Sequence, residues 1–134
     1  MKRSLFPLLQ AVLLVLACTL PAAAEMVSCA ECGMPTDTAS KFTSKIVQGD
    51  KTLFFCDIGD LFSHLKKTPA LAAQAQVKDY PSGDWIDAKQ AFYVHAEKKF
   101  HTPMGWGIAS FRDKKTAAES GNALDFDGMV KALK

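Results

Sequence analysis

Cys29-Ala30-Glu31-Cys32-Gly33-Met34 sets two thiols three positions apart on a segment that Gly33 allows to turn, with a thioether close behind. Three chemistries begin this way: a redox dithiol, a structural zinc clamp and a cradle for a soft ion. Thiolates so placed can share one ion at about 2.3 Å. A catalytic dithiol is usually found at a helix N-terminus after a strand, where the helix field lowers the thiol pKa. Gly33 and Pro35 stand where that helix would run, which argues against thiol–disulfide exchange.

Twenty-three residues separate Cys32 from Cys56. A cysteine loop, a hairpin and a third thiol at a helix start form the treble-clef arrangement of many zinc sites, in which a fourth ligand lies on the helix. Asp60 and His64 hold the candidate positions here. Neither is a cysteine, which weakens structural zinc. Met34 points to Cu(I) instead, since thioether and ion are both polarisable and the thioether needs no deprotonation; its alternative is a core filler beside Pro35.

A second constellation is Phe100-His101-Thr102-Pro103-Met104-Gly105-Trp106-Gly107. Proline and two glycines hold a turn that offers the Met104 thioether and the His101 imidazole to one ion; the alternative is a tight turn with Met104 and Trp106 packed into the core. His64 reads as a helix-surface residue and His95 as a structural strand histidine. Lys98-Lys99 and Lys114-Lys115 read as solvated. The candidate metal ligands are thus Cys29, Cys32, Met34, Cys56, His101 and Met104, with Cu(I) favoured and Zn as the alternative.

The elements that must position them follow from periodicity and turn chemistry. Phe42 to Val47 and Thr52 to Phe55, joined by Gln48-Gly49-Asp50-Lys51, read as a hairpin. Ile58, Leu61, Phe62 and Leu65 recur at helical spacing behind an Asp57 N-cap, so Cys56 falls at a strand-to-helix junction. Ala70 to Ala75 reads as a short helix, Val77 to Tyr80 as a strand and Pro81 to Asp84 as a turn. The pattern then partly repeats: strands at Ala91 to Ala96 and Gly107 to Phe111, a helix over Asp113 to Ser120, a last strand at Leu124 to Phe126 and a terminal helix to Leu133. The expected fold class is α+β, with two small related ββαβ-like units, roughly 29–67 and 85–134, packed as one domain.

Ahead of the cysteine loop, Lys2 and Arg3 precede an apolar run from Leu5 to Ala17 and an Ala22-x-Ala24 ending. Residues 1–24 therefore read as a secretory signal peptide, because about thirteen apolar residues are too few to span a bilayer. Val15-Leu16-Ala17-Cys18 also resembles a lipobox, in which case the leader is 1–17 and an acylated Cys18 attaches the protein to a membrane. Either reading exports residues 25–134 to the periplasm or the outer side of a membrane. Without Lys2 and Arg3, fourteen Lys and Arg balance fourteen Asp and Glu. A neutral domain without basic runs argues against nucleic acid or an acidic membrane surface as the main partner. Outside the cytosol cysteines usually pair, yet Cys29, Cys32 and Cys56 are an odd set. At least one thiol must stay free, find an outside partner or bind metal.

At these residues the chain resembles the nitrous oxide reductase accessory protein family, NosL, over nearly all of its exported part. The resemblance runs through Cys29-x-x-Cys32-Gly33-Met34, Phe55-Cys56-Asp57-Ile58-Gly59-Asp60, Ala91-Phe92-Tyr93-Val94 and Thr102-Pro103-Met104-Gly105-Trp106-Gly107-Ile108-Ala109-Ser110-Phe111. It implies two related ββαβ-like units and a non-enzymatic copper chaperone, in which Cys29 or Cys32 joins Met104 at a Cu(I) site. The implied partner is a client copper enzyme or another copper-delivery protein. Many members carry an acidic residue where Cys56 stands, so this chain has an extra thiol.

Overall fold

The computed structural model describes residues 24–134; the expected signal peptide, apart from Ala24, and the lipobox with Cys18 lie outside them. The described chain opens with a hairpin that sequence periodicity is too short to reveal. Strands β1 (Met26–Ser28) and β2 (Pro35–Asp37) pair antiparallel, Ser28 opposite Pro35, and close on the CxxC loop. Strands β3 (Ser44–Gln48) and β4 (Lys51–Phe55) form the expected hairpin, with Ile46 opposite Leu53 and Gly49 in the left-handed region at φ +60°. Helix α1 (Ile58–Lys67) follows, and Ile58, Leu61, Phe62 and Leu65 are buried on its inner face. A 3-10 helix, Pro69–Gln74, leads to β5 (Ala75–Lys78), which pairs antiparallel with β3. Strand β6 (Trp85–Asp87) extends this sheet, whose order is β4-β3-β5-β6.

The second half repeats the plan in smaller form. Strands β7 (Phe92–His95) and β8 (Ile108–Phe111) pair antiparallel and helix α2 (Lys114–Ser120) follows, its Thr116 N–H donating to the Asp113 carboxylate. Leu124 then returns beside β7 in a single antiparallel bridge to Tyr93. The strand expected over Leu124 to Phe126 shrinks to this bridge because Asp125 caps helix α3 (Phe126–Ala132), accepting from Gly128 N–H at 2.7 Å. Hairpin, helix and a returning strand beside the first strand of the hairpin thus occur twice. The returning strand of the first unit, β5, and its neighbour β6 lie beyond residue 67, so the first sheet extends to Asp87. Among the described residues no helix is long and apolar enough to cross a membrane.

Two buried clusters result: in the larger, Phe55, Ile58, Leu61, Phe62 and Val77 of the first unit pack with Tyr93, Ile108 and Met129 of the second, and the smaller holds Val94, Phe100, Ala109, Phe111 and Ala117. Polar groups join the units where β5 meets β8. Tyr80 N–H donates to Ser110 O at 2.8 Å, Ser110 Oγ donates to Lys78 O at 2.6 Å, and the buried Asp79 carboxylate accepts from Arg112 N–H at 2.9 Å and Ser82 Oγ at 2.6 Å. Burial alone would raise the Asp79 pKa, but these hydrogen bonds, with the Arg112 charge, hold it below the usual value of 3.8. A depressed folded-state pKa stabilises above the unfolded value and is lost as pH falls through the folded one. Asp79→Ala should therefore lower stability by about 1–3 kcal/mol at pH 7 in urea denaturation, and the deficit should shrink below pH 4. A deficit unchanged by acid would contradict this account.

Candidate metal centre

The CxxC loop is a tight knuckle. Cys29 N–H donates to Met34 O at 2.8 Å and Gly33 N–H to Cys29 O at 2.9 Å, with Gly33 at φ +75°. Two attachments fix the knuckle against the first unit. Ala30 N–H donates to Phe54 O at 2.7 Å, so that Cys29 bridges the end of β4 in parallel register. Glu31, between the two cysteines, accepts from Ser63 Oγ at 3.1 Å, lies 3.2 Å from His64 Nδ1 and pairs with Lys67. The Lys67 hydrogen bond first, then those of His64 and Ser63, holds the Glu31 carboxyl below its ordinary range against the opposing effect of burial.

Strand β4 delivers Cys56 to the residue before the α1 N-cap, and Asp60 follows four residues later in the first turn of the helix. The ligand atoms of Cys29, Cys32, Cys56 and Asp60 all lie within 4.8 Å of one another. Cys32 and Cys56 sulfurs are 3.5 Å apart, and the thiols of Cys29 and Cys56 each lie 3.5 Å from Asp60 Oδ2. Cys29, Cys56 and Asp60 are buried while Cys32 is exposed, so the cluster opens to solvent at one sulfur. Burial first, then the neighbouring thiols and the Asp60 charge, drives the Cys56 pKa far above the ordinary thiol value. Desolvation also raises Cys32, opposed by a Met34 backbone hydrogen bond. Thiols raised in this way hold their protons at neutral pH, so a metal ion must expel them.

The second unit covers this cluster with the loop between β7 and β8. Asp57 caps α1 through Oδ1, accepting from Gly59 N–H at 3.2 Å, and its Oδ2 accepts from Met104 N–H at 3.1 Å and Trp106 N–H at 3.4 Å. Trp106 Nε1–H donates to Asp60 Oδ1 at 3.0 Å, leaving Oδ2 for the sulfurs. The indole lies flush on the first turn of α1: a Cβ on Gly59 would stand 1.9 Å from Trp106 Cγ.

The structure thus brings together Cys29, Cys32 and Cys56, and adds Asp60 in the treble-clef place. His64, read as a helix-surface residue, is half-buried on α1 between Glu31 and the Phe55 ring, 5.1 Å from it. His101 is exposed and outside the cluster. Met34 and Met104 sit on the two loops flanking it, 44% and 42% exposed, so neither is the buried core filler of the alternative reading. No helix follows the CxxC pair; the next one begins at Ile58. Asp57, Gly59 and Trp106 gave the sequence reading no role at the site. Their signal lay in Cys-Asp-Ile-Gly-Asp, where an N-cap is followed by a glycine inside a helix, a residue that usually marks a close approach.

Gly59→Ala should displace Trp106 and lower stability by about 1–3 kcal/mol through overpacking. Trp106→Phe should keep the stacking and lose the hydrogen bond, at a similar cost from the orphaned Asp60 oxygen. Chemical denaturation measures both, and wild-type stability in Gly59→Ala would refute the close contact.

A family model described as NosL matches residues 22–132. Among solved structures, the copper chaperone NosL from Shewanella denitrificans superposes with a TM-score of 0.65 at 24% identity, covering 84% of this chain and 97% of that one. No curated protein matches.

Proposed function

The chain belongs to the NosL family, and from that premise we propose that it is an exported Cu(I) chaperone that passes copper to an extracytoplasmic copper enzyme, with nitrous oxide reductase maturation as the specific case. The observation that carries the reading is three sulfurs converging in one cluster with one of them open to solvent. Cu(I) selects sulfur donors. Sulfurs about 2.3 Å from a shared ion stand about 3.8 Å apart in a tetrahedron, close to the 3.5 Å between Cys32 and Cys56.

In this proposal Cys29, Cys32 and Cys56 hold the ion, and exchange begins at exposed Cys32. Met34 and Met104 are the thioethers that an ion meets on either side, and His101 stands on the Met104 loop. Thioethers carry no proton, so they can bind in passing without changing the site's charge. A site with a free direction lets an acceptor ligand enter before a donor leaves. This chemistry moves a cargo ion and needs no catalytic residue.

Asp60 supports a second reading. A carboxylate oxygen beside three thiols completes a four-donor set that zinc accepts, which would make the cluster a structural site in an interaction domain.

Competition of the reduced protein with a Cu(I) chelator should give about one Cu(I) per chain, and Cys32→Ser should weaken it by more than about tenfold, or 1.4 kcal/mol. Met104→Ala should weaken Cu(I) retention and leave Zn(II) binding unchanged. Preferential zinc binding that requires Asp60 and ignores Met104 would overturn the copper reading in favour of the structural one.

A further inference from the structure

The β-strand alternation that sends Ile46, Val77 and Ile86 toward α1 sends Lys45, Lys78 and Trp85 to the opposite face of the four-stranded sheet. Register puts them together. Lys45 pairs with Phe54 on one side and Gln76 on the other, and Lys78 pairs with Trp85. The Lys45 and Lys78 ammoniums lie 4.1 and 4.8 Å from the centroid of the one Trp85 ring. A cavity of about 480 Å³ opens over them, walled by the β1–β2 end of the chain at Glu25 and Thr38 and by a third cation, Lys41.

Lys78 is only 7% exposed. Its ammonium donates to Thr38 O at 2.6 Å, and among the described residues neither it nor Lys45 has a carboxylate within ion-pair distance. Buried charges are ordinarily paired, yet here two cations repel across a shared ring with Asp37 as the opposing charge nearby. Desolvation lowers the pKa of both lysines. The indole face relieves part of this cost. The cavity leaves room for an anion to relieve the rest.

We propose that this face is a second binding site, specific for a phosphate-type oxyanion held between Lys45 and Lys78 against Trp85. Ammonium groups suit such a ligand as point donors to its oxygens. The phosphate can be free or part of a lipid headgroup, and Ala24 and Glu25, the first of the described residues, wall the cavity. The site lies on the opposite face of the sheet from α1, which carries Cys56 and Asp60 at its start, and stands independently of the copper reading.

The test follows Trp emission of the metal-free protein during titration with inorganic phosphate, with sedimentation on phosphatidylglycerol and on phosphatidylcholine vesicles in parallel. Saturable binding of phosphate, or of the anionic vesicles alone, is expected. Lys45→Gln should weaken it by about tenfold, the loss of a charge-assisted contact. Trp106→Phe keeps the Trp85 signal assignable, and Lys45→Gln avoids the folding risk of changing buried Lys78. Phosphate binding without vesicle binding identifies a free oxyanion, and vesicle binding without phosphate binding a headgroup. Absence of both, or binding that Lys45→Gln leaves unchanged, would overturn the proposal.

Discussion

The carboxylate of Asp57 is the constraint on which the metal-facing architecture depends. It is fully buried and accepts three backbone N–H groups, one from the first turn of α1 and two from the loop that carries Met104 and Trp106. A buried carboxylate requires such partners. Here they come from both halves of the chain. The residue that starts the helix therefore also sets the distance between the cysteine cluster and the second unit's loop. Asp60, one turn on, repeats the device: one oxygen faces the thiols and the other accepts from the Trp106 indole.

The two units contribute unequally. The first supplies all three sulfurs, through a knuckle zipped to β4 and a helix start, each anchored by backbone hydrogen bonds. The second supplies a cover that is polar where it touches α1 and half-exposed at its methionine. Rigid donors below and an accessible thioether above suit an ion that is held and then released. Polar bonds between β5 and β8, with a shared apolar core in which Phe62 meets Tyr93 and Phe126, hold the units in this register.

Much of this was legible in the sequence because the determinants are local. Gly49 and Asp50 announced the β3–β4 hairpin, Asp57 the start of α1, and CxxC with Cys56 the three-sulfur cluster. The β1–β2 hairpin was not legible, since three-residue strands carry no periodicity and Pro35 reads as a breaker, although it is tolerated on an edge strand. Asp60 appeared only as one of two candidates on the helix, because choosing it over His64 requires knowing that Glu31 reaches back to claim the imidazole. The contact of Trp106 with Gly59 was beyond reach for a different reason. It joins residues 47 positions apart through a loop whose path is set by Asp57.

X-ray absorption at the copper edge of the Cu(I)-loaded protein tests the central claim most directly, because it reads the donor atoms themselves. The account predicts a first shell of sulfur, losing one scatterer in Cys32→Ser and gaining no oxygen from Asp60. A shell dominated by nitrogen and oxygen, or a spectrum indifferent to the loss of Cys32, would contradict it.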